Sequence, residues 1–232
     1  MPGSYLVNPS DRPMAPQNPS RGESGLPEEG FVFCSFNQGY KVTPRVYDVW
    51  MRLLKRVPTS ILWLPESNRF AVSNLKREAE ARGIQSERLV FAPRTPSPAD
   101  HFARLGNADL FLDTWPYNAH ATASDALWVG CPVLTLPGET FASRVAGSLL
   151  KALGLSELIA ESPACYEELA ISLAKSPERL RSIRDQLHQA RETKGLFDPT
   201  RFARNLEQAY FQMWDLYRSN RPANRGRSVS AL

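Results

Sequence analysis

From Phe31 onward, short runs of β-branched and aromatic residues alternate with longer stretches in which apolar side chains recur every three or four positions. FVFCSF (31–36), SILWL (60–64), RLVFA (88–92), ADLFLD (108–113) and CPVLTL (131–136) have the length and composition of buried strands. PRVYDVWMRLLKRV (44–57) has helical spacing, with Thr43 as its cap and Pro44 in the first turn. NRFAVSNLKREAEARG (68–83) predicts a second helix that Gly83 stops. After RLVFA a proline-stiffened loop leads into a short helix holding His101 and Arg104. Thr122 and Asp125 stand three apart as a capping box, so a helix TASDALWV is expected to begin at Thr122. FASRVAGSLLKALG (141–154) follows the fifth strand, and Pro163 to Tyr217 is helical in three segments broken near Pro177 and Pro199.

This alternation predicts an α/β domain: a doubly wound, Rossmann-like parallel sheet closed by C-terminal helices. In such a sheet the loops leaving the carboxyl ends of the strands open onto one crevice, where ligands sit. NQGYK, APRTPSPADH, TWPYNAHATASD and PGET are therefore expected to line the same edge.

The 232 residues are 42% hydrophobic and 10% aromatic, enough for one core and a second small one. The net charge of +4 reads as basic until it is located. Arg218, Arg221, Arg225 and Arg227 lie in a final segment without an acid, and the rest of the chain is balanced. That distribution argues against a nucleic-acid partner, which needs a basic face on the fold itself. Residues 220–232 read as a disordered basic tail, 1–28 as a proline-rich extended connector, and 29–219 as the folded domain. The beginning of the chain has neither a signal pattern nor a membrane-length apolar run, so a cytoplasmic protein without membrane contact is expected. Cys34, Cys131 and Cys165 form no CxxC pair and read as reduced core thiols. Trp50, Trp63, Trp128 and Trp214 occupy positions suited to core packing.

The usual nucleotide signatures are missing. There is no GxGxxG after the first strand, no GxxxxGK[ST], no GxSxG elbow, no DxD pair and no HxxxH or HExxH spacing. A ligand in the crevice would then be held by hydrogen bonds, helix amides and lysine or arginine charge, with no metal. A cap needs no imidazole, yet His120 stands two residues before Thr122; a helix start with a hydroxyl and a histidine suits a phosphate. The first loop brings Lys41, a point charge for a diphosphate, and Gln38, an amide donor. The third brings His101, a ring able to stack on a base, and Arg104, whose fork can reach a pyrimidine carbonyl. Asp113 and Glu139 could each bond a ligand hydroxyl or satisfy loop amides.

FNQGYK, the LW of SILWLP, the DH and R after the third strand, LDT…NAHATASDALW, GCPVLTLPGETFASRVAGSLL and FDPTRFARNLEQAYFQMWDLY together resemble the C-terminal catalytic half of the O-GlcNAc transferase family. The likeness extends to its bacterial members and the related SPINDLY proteins, and runs from about Tyr5 to Tyr217. It implies the donor half of a glycosyltransferase of the GT-B architecture. Such a half binds UDP-N-acetylglucosamine and passes the sugar with inversion to serine or threonine hydroxyls of proteins, without a metal or other cofactor. Carried over, Gln38 and Lys41 hold the diphosphate, His101 and Arg104 the uracil, His120 and Thr122 the phosphate and sugar, and Asp125 a ribose hydroxyl. Lys41 and His120 are the two positions tied to catalysis. Two departures stand out. Ala121 replaces a threonine common in the family, and the third loop lacks the family's lysine, Arg94 being a nearby basic residue. In the family an N-terminal catalytic half and tetratricopeptide repeats precede this region, and both are expected partners. The alternatives are a non-catalytic nucleotide-sugar-binding module and a relative that transfers fucose or glucose.

Overall fold

The computed structural model describes residues 3–193 and 195–219; the expected tail at 220–232 lies outside the described residues. Five parallel strands, β1 (Val32–Cys34), β2 (Ile61–Pro65), β3 (Leu89–Ala92), β4 (Leu110–Leu112) and β5 (Val133–Leu134), form one sheet in the order β3-β2-β1-β4-β5. The chain winds outward from β1 through β2 and β3, then returns to the other side of β1 for β4 and β5. The direction of winding reverses between β1 and β4, and a sheet of this kind opens its ligand crevice at that point.

Helices cover both faces: α1 (Pro44–Arg56), α2 (Arg69–Ala81), α3 (Pro98–Leu105), α4 (Ala121–Trp128), α5 (Val145–Leu153), α6 (Pro163–Ala174), α7 (Pro177–Thr193) and α8 (Pro199–Arg218). Local signals account for most of their ends. Thr43 accepts a hydrogen bond from the Val46 amide and Pro44 fills the first turn of α1. The chain leaves α2 through Gly83, whose φ of +75° is open to glycine at little cost. All strand residues except Pro65, Val90 and Phe91 are buried, as expected for a sheet covered on both sides. Trp50 and Trp63 are among the largest fully buried side chains, and truncating either to alanine would cost about 3–5 kcal/mol.

Two expectations about packing need correction. Trp214 is 56% exposed and stacks on Tyr217 at 5.7 Å between ring centroids, because α8 buries none of its residues. Cys165 is exposed in the first turn of α6, whereas Cys34 and Cys131 are buried.

The segment before Gly30 has no helix or strand, yet it is fastened to the domain at both edges of the sheet. At the amino edge, Arg21 donates to Gly30 O and to Asp109 Oδ2, each at 2.8 Å, and Asn107 donates to Pro19 O at 2.9 Å. At the carboxyl edge Tyr5 and Arg12 reach the start of α4. The segment is a strap laid across the domain.

Candidate functional site

The site forms where the loops after β1 and β4 meet. Beyond β1 the chain makes a single tight turn, Gly39–Lys41, that drops the Lys41 side chain between the two loops. Its ammonium donates to Asn118 O at 2.9 Å and lies 4.0 Å from the centroid of the Tyr117 ring. Burial pushes the Lys41 pKa down, and the Asp113 carboxyl opposes that fall. Gln38 precedes the turn, with its side chain exposed and making no cap hydrogen bond.

Asp113, at the end of β4, organises the loop that follows. One carboxyl oxygen accepts from the Thr114 and Ala119 amides at 2.8 and 2.6 Å, and the other from Thr135 Oγ1 at 2.6 Å. Of the two roles open to it, Asp113 takes the one of satisfying loop amides, and it is wholly buried. Glu139 is exposed. Asn118 donates to Thr114 O and Leu136 O, which fixes the carbonyl that receives Lys41.

His120 stands at the N-cap position of α4, with one ring nitrogen on each of two partners. Nε2 lies 3.3 Å from Ala142 O and Nδ1 lies 2.9 Å from Tyr5 Oη. A carbonyl can only accept, so the ring hydrogen is assigned to Nε2 and Nδ1 accepts from the tyrosine hydroxyl. Burial, and then the nearby Lys41 charge, lower the His120 pKa against the Ala142 bond, so the ring is neutral at pH 7.

The capping box expected at Thr122 and Asp125 does not form. α4 begins one residue earlier, at Ala121, and no side chain caps it. Thr122 Oγ1 instead donates to Asn37 Oδ1 at 3.0 Å, and Asn37 Nδ2 donates to Thr114 Oγ1 at 3.1 Å, so Asn37 ties the β1 loop to both ends of the β4 loop. Asp125 turns to the strap, where Arg12 Nη1 meets its Oδ1 at 2.5 Å. The consequence at the site is that no side chain caps α4, whose N-cap residue His120 lies within reach of the Lys41 charge.

On the other side of β1, His101 in α3 packs edge to face on Phe36, 5.1 Å between centroids. Burial, helped by the Arg104 charge, pushes its pKa down to about 4, leaving a neutral ring at pH 7. Arg104, one turn on, donates to Pro93 O and lies 5.5 Å from the Phe36 centroid. Arg94 is exposed on the same loop.

The predicted residues thus fall into one connected set. His101 and Arg104 meet Phe36, the next residue Asn37 meets Thr122, and Lys41 meets the loop that carries His120. Asp125 belongs to the same helix start, with its Oδ1 held by Arg12 of the strap. Sequence reasoning missed Asn37, Tyr5 and Arg12. Asn37 sits inside the quoted FNQGYK, so its place in the chain was visible; nothing near Tyr5 or Arg12 announces a partner more than a hundred residues away.

A five-stranded doubly wound sheet with a buried lysine at its switch point defines an α/β domain of the ligand-binding, Rossmann-like class. The profile of glycosyl transferase family 41 matches residues 10–206, and the chain belongs to that family. It is 42% identical over 200 residues to a probable UDP-N-acetylglucosamine–peptide N-acetylglucosaminyltransferase SEC of Arabidopsis thaliana, covering 86% of this chain and 20% of that protein. It is 37% identical over 203 residues to the UDP-N-acetylglucosamine–peptide N-acetylglucosaminyltransferase of Caenorhabditis elegans, covering 88% and 18%. Among solved structures, a mutant O-GlcNAc transferase of Thermobaculum terrenum superimposes with a TM-score of 0.78 at 32% identity, covering 90% of this chain and 39% of that one. The chain thus spans about a fifth of the length of the curated relatives it matches.

Proposed function

We propose that this chain is the donor-binding half of a bacterial-type protein O-GlcNAc transferase acting in the cytoplasm: it holds UDP-N-acetylglucosamine while the sugar passes to a serine or threonine hydroxyl. The observation that carries the reading is that Lys41 is held on the loop leading into the uncapped start of α4, at the β1–β4 switch point, in a chain of family 41. Lys41 and the α4 amides bind the diphosphate and stabilise the charge it gains as the anomeric carbon–oxygen bond breaks. Gln38 adds a donor to the same group. The neutral ring of His101 stacks on uracil, Arg104 meets a uracil carbonyl, and Thr122 and His120 face the phosphate and sugar.

In the transfer, the acceptor oxygen bonds to the anomeric carbon as UDP departs from the opposite face, and the hydroxyl proton passes to a base. Both ring nitrogens of His120 are engaged; the family resemblance puts that base in an N-terminal half, which we propose as partner together with tetratricopeptide repeats and the protein acceptor. No divalent ion is needed in this reading, because Lys41 supplies the positive charge that the departing diphosphate requires. Among the described residues no helix is long and apolar enough to cross a membrane.

Titration calorimetry with UDP, UDP-N-acetylglucosamine, UDP-glucose and GDP-fucose tests the donor assignment. Binding of both UDP and UDP-N-acetylglucosamine, with GDP-fucose rejected, is expected. Tighter binding of GDP-fucose than of either would overturn it.

A further inference from the structure

Arg12 is the least expected residue at this edge of the domain. Its side chain is 8% exposed, and its guanidinium lies 5.9, 5.7 and 5.4 Å from the ring centroids of Phe102, Trp128 and Phe197. Those rings belong to α3, α4 and the turn before α8, so a cation from the strap is seated among three elements of the fold. One arm of the fork reaches Asp125 Oδ1; the other reaches Ser124 Oγ at 2.6 Å and Asn8 Oδ1 at 3.3 Å. Ser124 Oγ in turn donates to Asn8 Oδ1 at 2.5 Å. Asp125 is 23% exposed, and its Oδ2 has no hydrogen-bond partner among the described residues. Burial raises the Asp125 pKa, and the Arg12 charge and hydrogen bond oppose that rise.

A planar fork that binds one carboxylate oxygen and the neighbouring serine fixes the rotamer of Asp125 and keeps it ionised, while leaving its second oxygen able to accept. Lysine, a point charge, would hold the charge without fixing the plane. Thr122, one turn earlier on the same helix face, already belongs to the crevice.

We propose that Arg12 is a positioning residue of the nucleotide-sugar site: by clamping Oδ1 of Asp125 to the strap, it presents Oδ2 to the ribose hydroxyls of the donor. The inference rests on the function proposed above. It makes the strap a working part of the donor site, and it predicts a defect confined to the ribose.

The test compares the affinity of UDP with those of 2′-deoxy-UDP and 3′-deoxy-UDP, by calorimetry, in the wild-type chain, Arg12→Met and Arg12→Lys. In the wild type, UDP should bind about tenfold tighter than at least one deoxy analogue, the worth of a hydrogen bond to a charged acceptor. Arg12→Met should weaken UDP by about the same factor, leave that analogue unchanged, and so bring the ratio close to one. Arg12→Lys, which keeps the buried charge and serves if the methionine variant does not fold, should lower the ratio at least threefold. A variant that weakens UDP and the analogues equally has merely loosened the fold, and that result overturns the proposal, as does a full ratio in the folded variants. Absence of UDP binding by the wild type overturns the function itself and this inference with it.

Discussion

Asp113→Asn gives the sharpest physical test of how the crevice is built. The carboxyl is wholly buried, and two opposed effects act on it: burial favours the acid, while the Thr135, Ala119 and Thr114 donors and the Lys41 charge favour the anion. Burial wins, raising the pKa from 3.8 to about 7. The folded state therefore keeps a proton that the unfolded chain gives up above pH 4. Stability from this group is full below about 3.8 and is lost as pH rises through about 7. A pKa raised by about three pH units corresponds to roughly 4 kcal/mol at 1.36 kcal/mol per unit, an upper figure for a site fully sealed from water. Asparagine can accept the two loop amides on Oδ1 and donate to Thr135 Oγ1 from Nδ2, so it stands in for the neutral acid. Urea unfolding at intervals from pH 4.5 to 8 is the assay. Wild type should lose about 3 kcal/mol more than Asp113→Asn across that range, the difference cancelling all other titrating groups. Parallel curves, or a wild type that gains on the variant as pH rises, would mean that the three donors hold Asp113 as the anion. The outcome bears on function, because a neutral Asp113 leaves the charge of Lys41 uncompensated for a diphosphate.

Lys41→Met should weaken UDP binding by ten- to a hundredfold in calorimetry while lowering stability by only about 1 kcal/mol, the loss of its bond to Asn118 O; unchanged affinity in a folded variant would remove Lys41 from the site. Thr122→Val should cost about 1 kcal/mol through the lost bond to Asn37, and Asp125→Ala about 3 kcal/mol because Arg12 is left buried and unpaired. Equal costs near 1 kcal/mol in urea unfolding would bring back the capping box. EDTA should leave the affinity for UDP within twofold; loss of binding that magnesium restores would sink the metal-free site.

The parts of this fold that were legible in the sequence are those decided by near neighbours. Thr43 and Pro44 mark the start of α1 because a hydroxyl can reach only the amides just ahead of it, and the structure shows that bond. The five apolar runs mark the strands for a similar reason: a strand buried on both faces has no position for a polar side chain. The order β3-β2-β1-β4-β5 agrees with the doubly wound sheet expected from the alternation of strands and helices, and that topology by itself puts four loops distant in sequence on one edge. α8 shows the limit. Its periodicity marks an apolar face at Tyr210, Met213, Trp214 and Tyr217, but periodicity does not say what lies against that face, and in this chain those side chains are exposed.

Thr122 and Asp125 show why the rest was hidden. Their spacing fits a capping box, and both residues do belong to the first turn and a half of α4. Each has found a stronger bond elsewhere: Thr122 with a residue 85 positions away, and Asp125 with one 113 positions away. A local rule compares a side chain with its neighbours and has no access to a competitor delivered by the fold. For Asp125 the competitor is a buried guanidinium, and a charge-assisted fork outweighs a single bond to a helix amide. The result for α4 is the reverse of what the spacing suggests. Side chains that could have closed the helix start are drawn to other partners, Thr122 Oγ1 to the β1 loop and Asp125 Oδ1 to the strap, and α4 is left without a side-chain cap, its N-cap His120 within reach of the Lys41 charge. An uncapped helix in solution would be a weakness of about 1 kcal/mol; set at the switch point of a parallel sheet, near a buried lysine, it is a place where an anion is the missing cap.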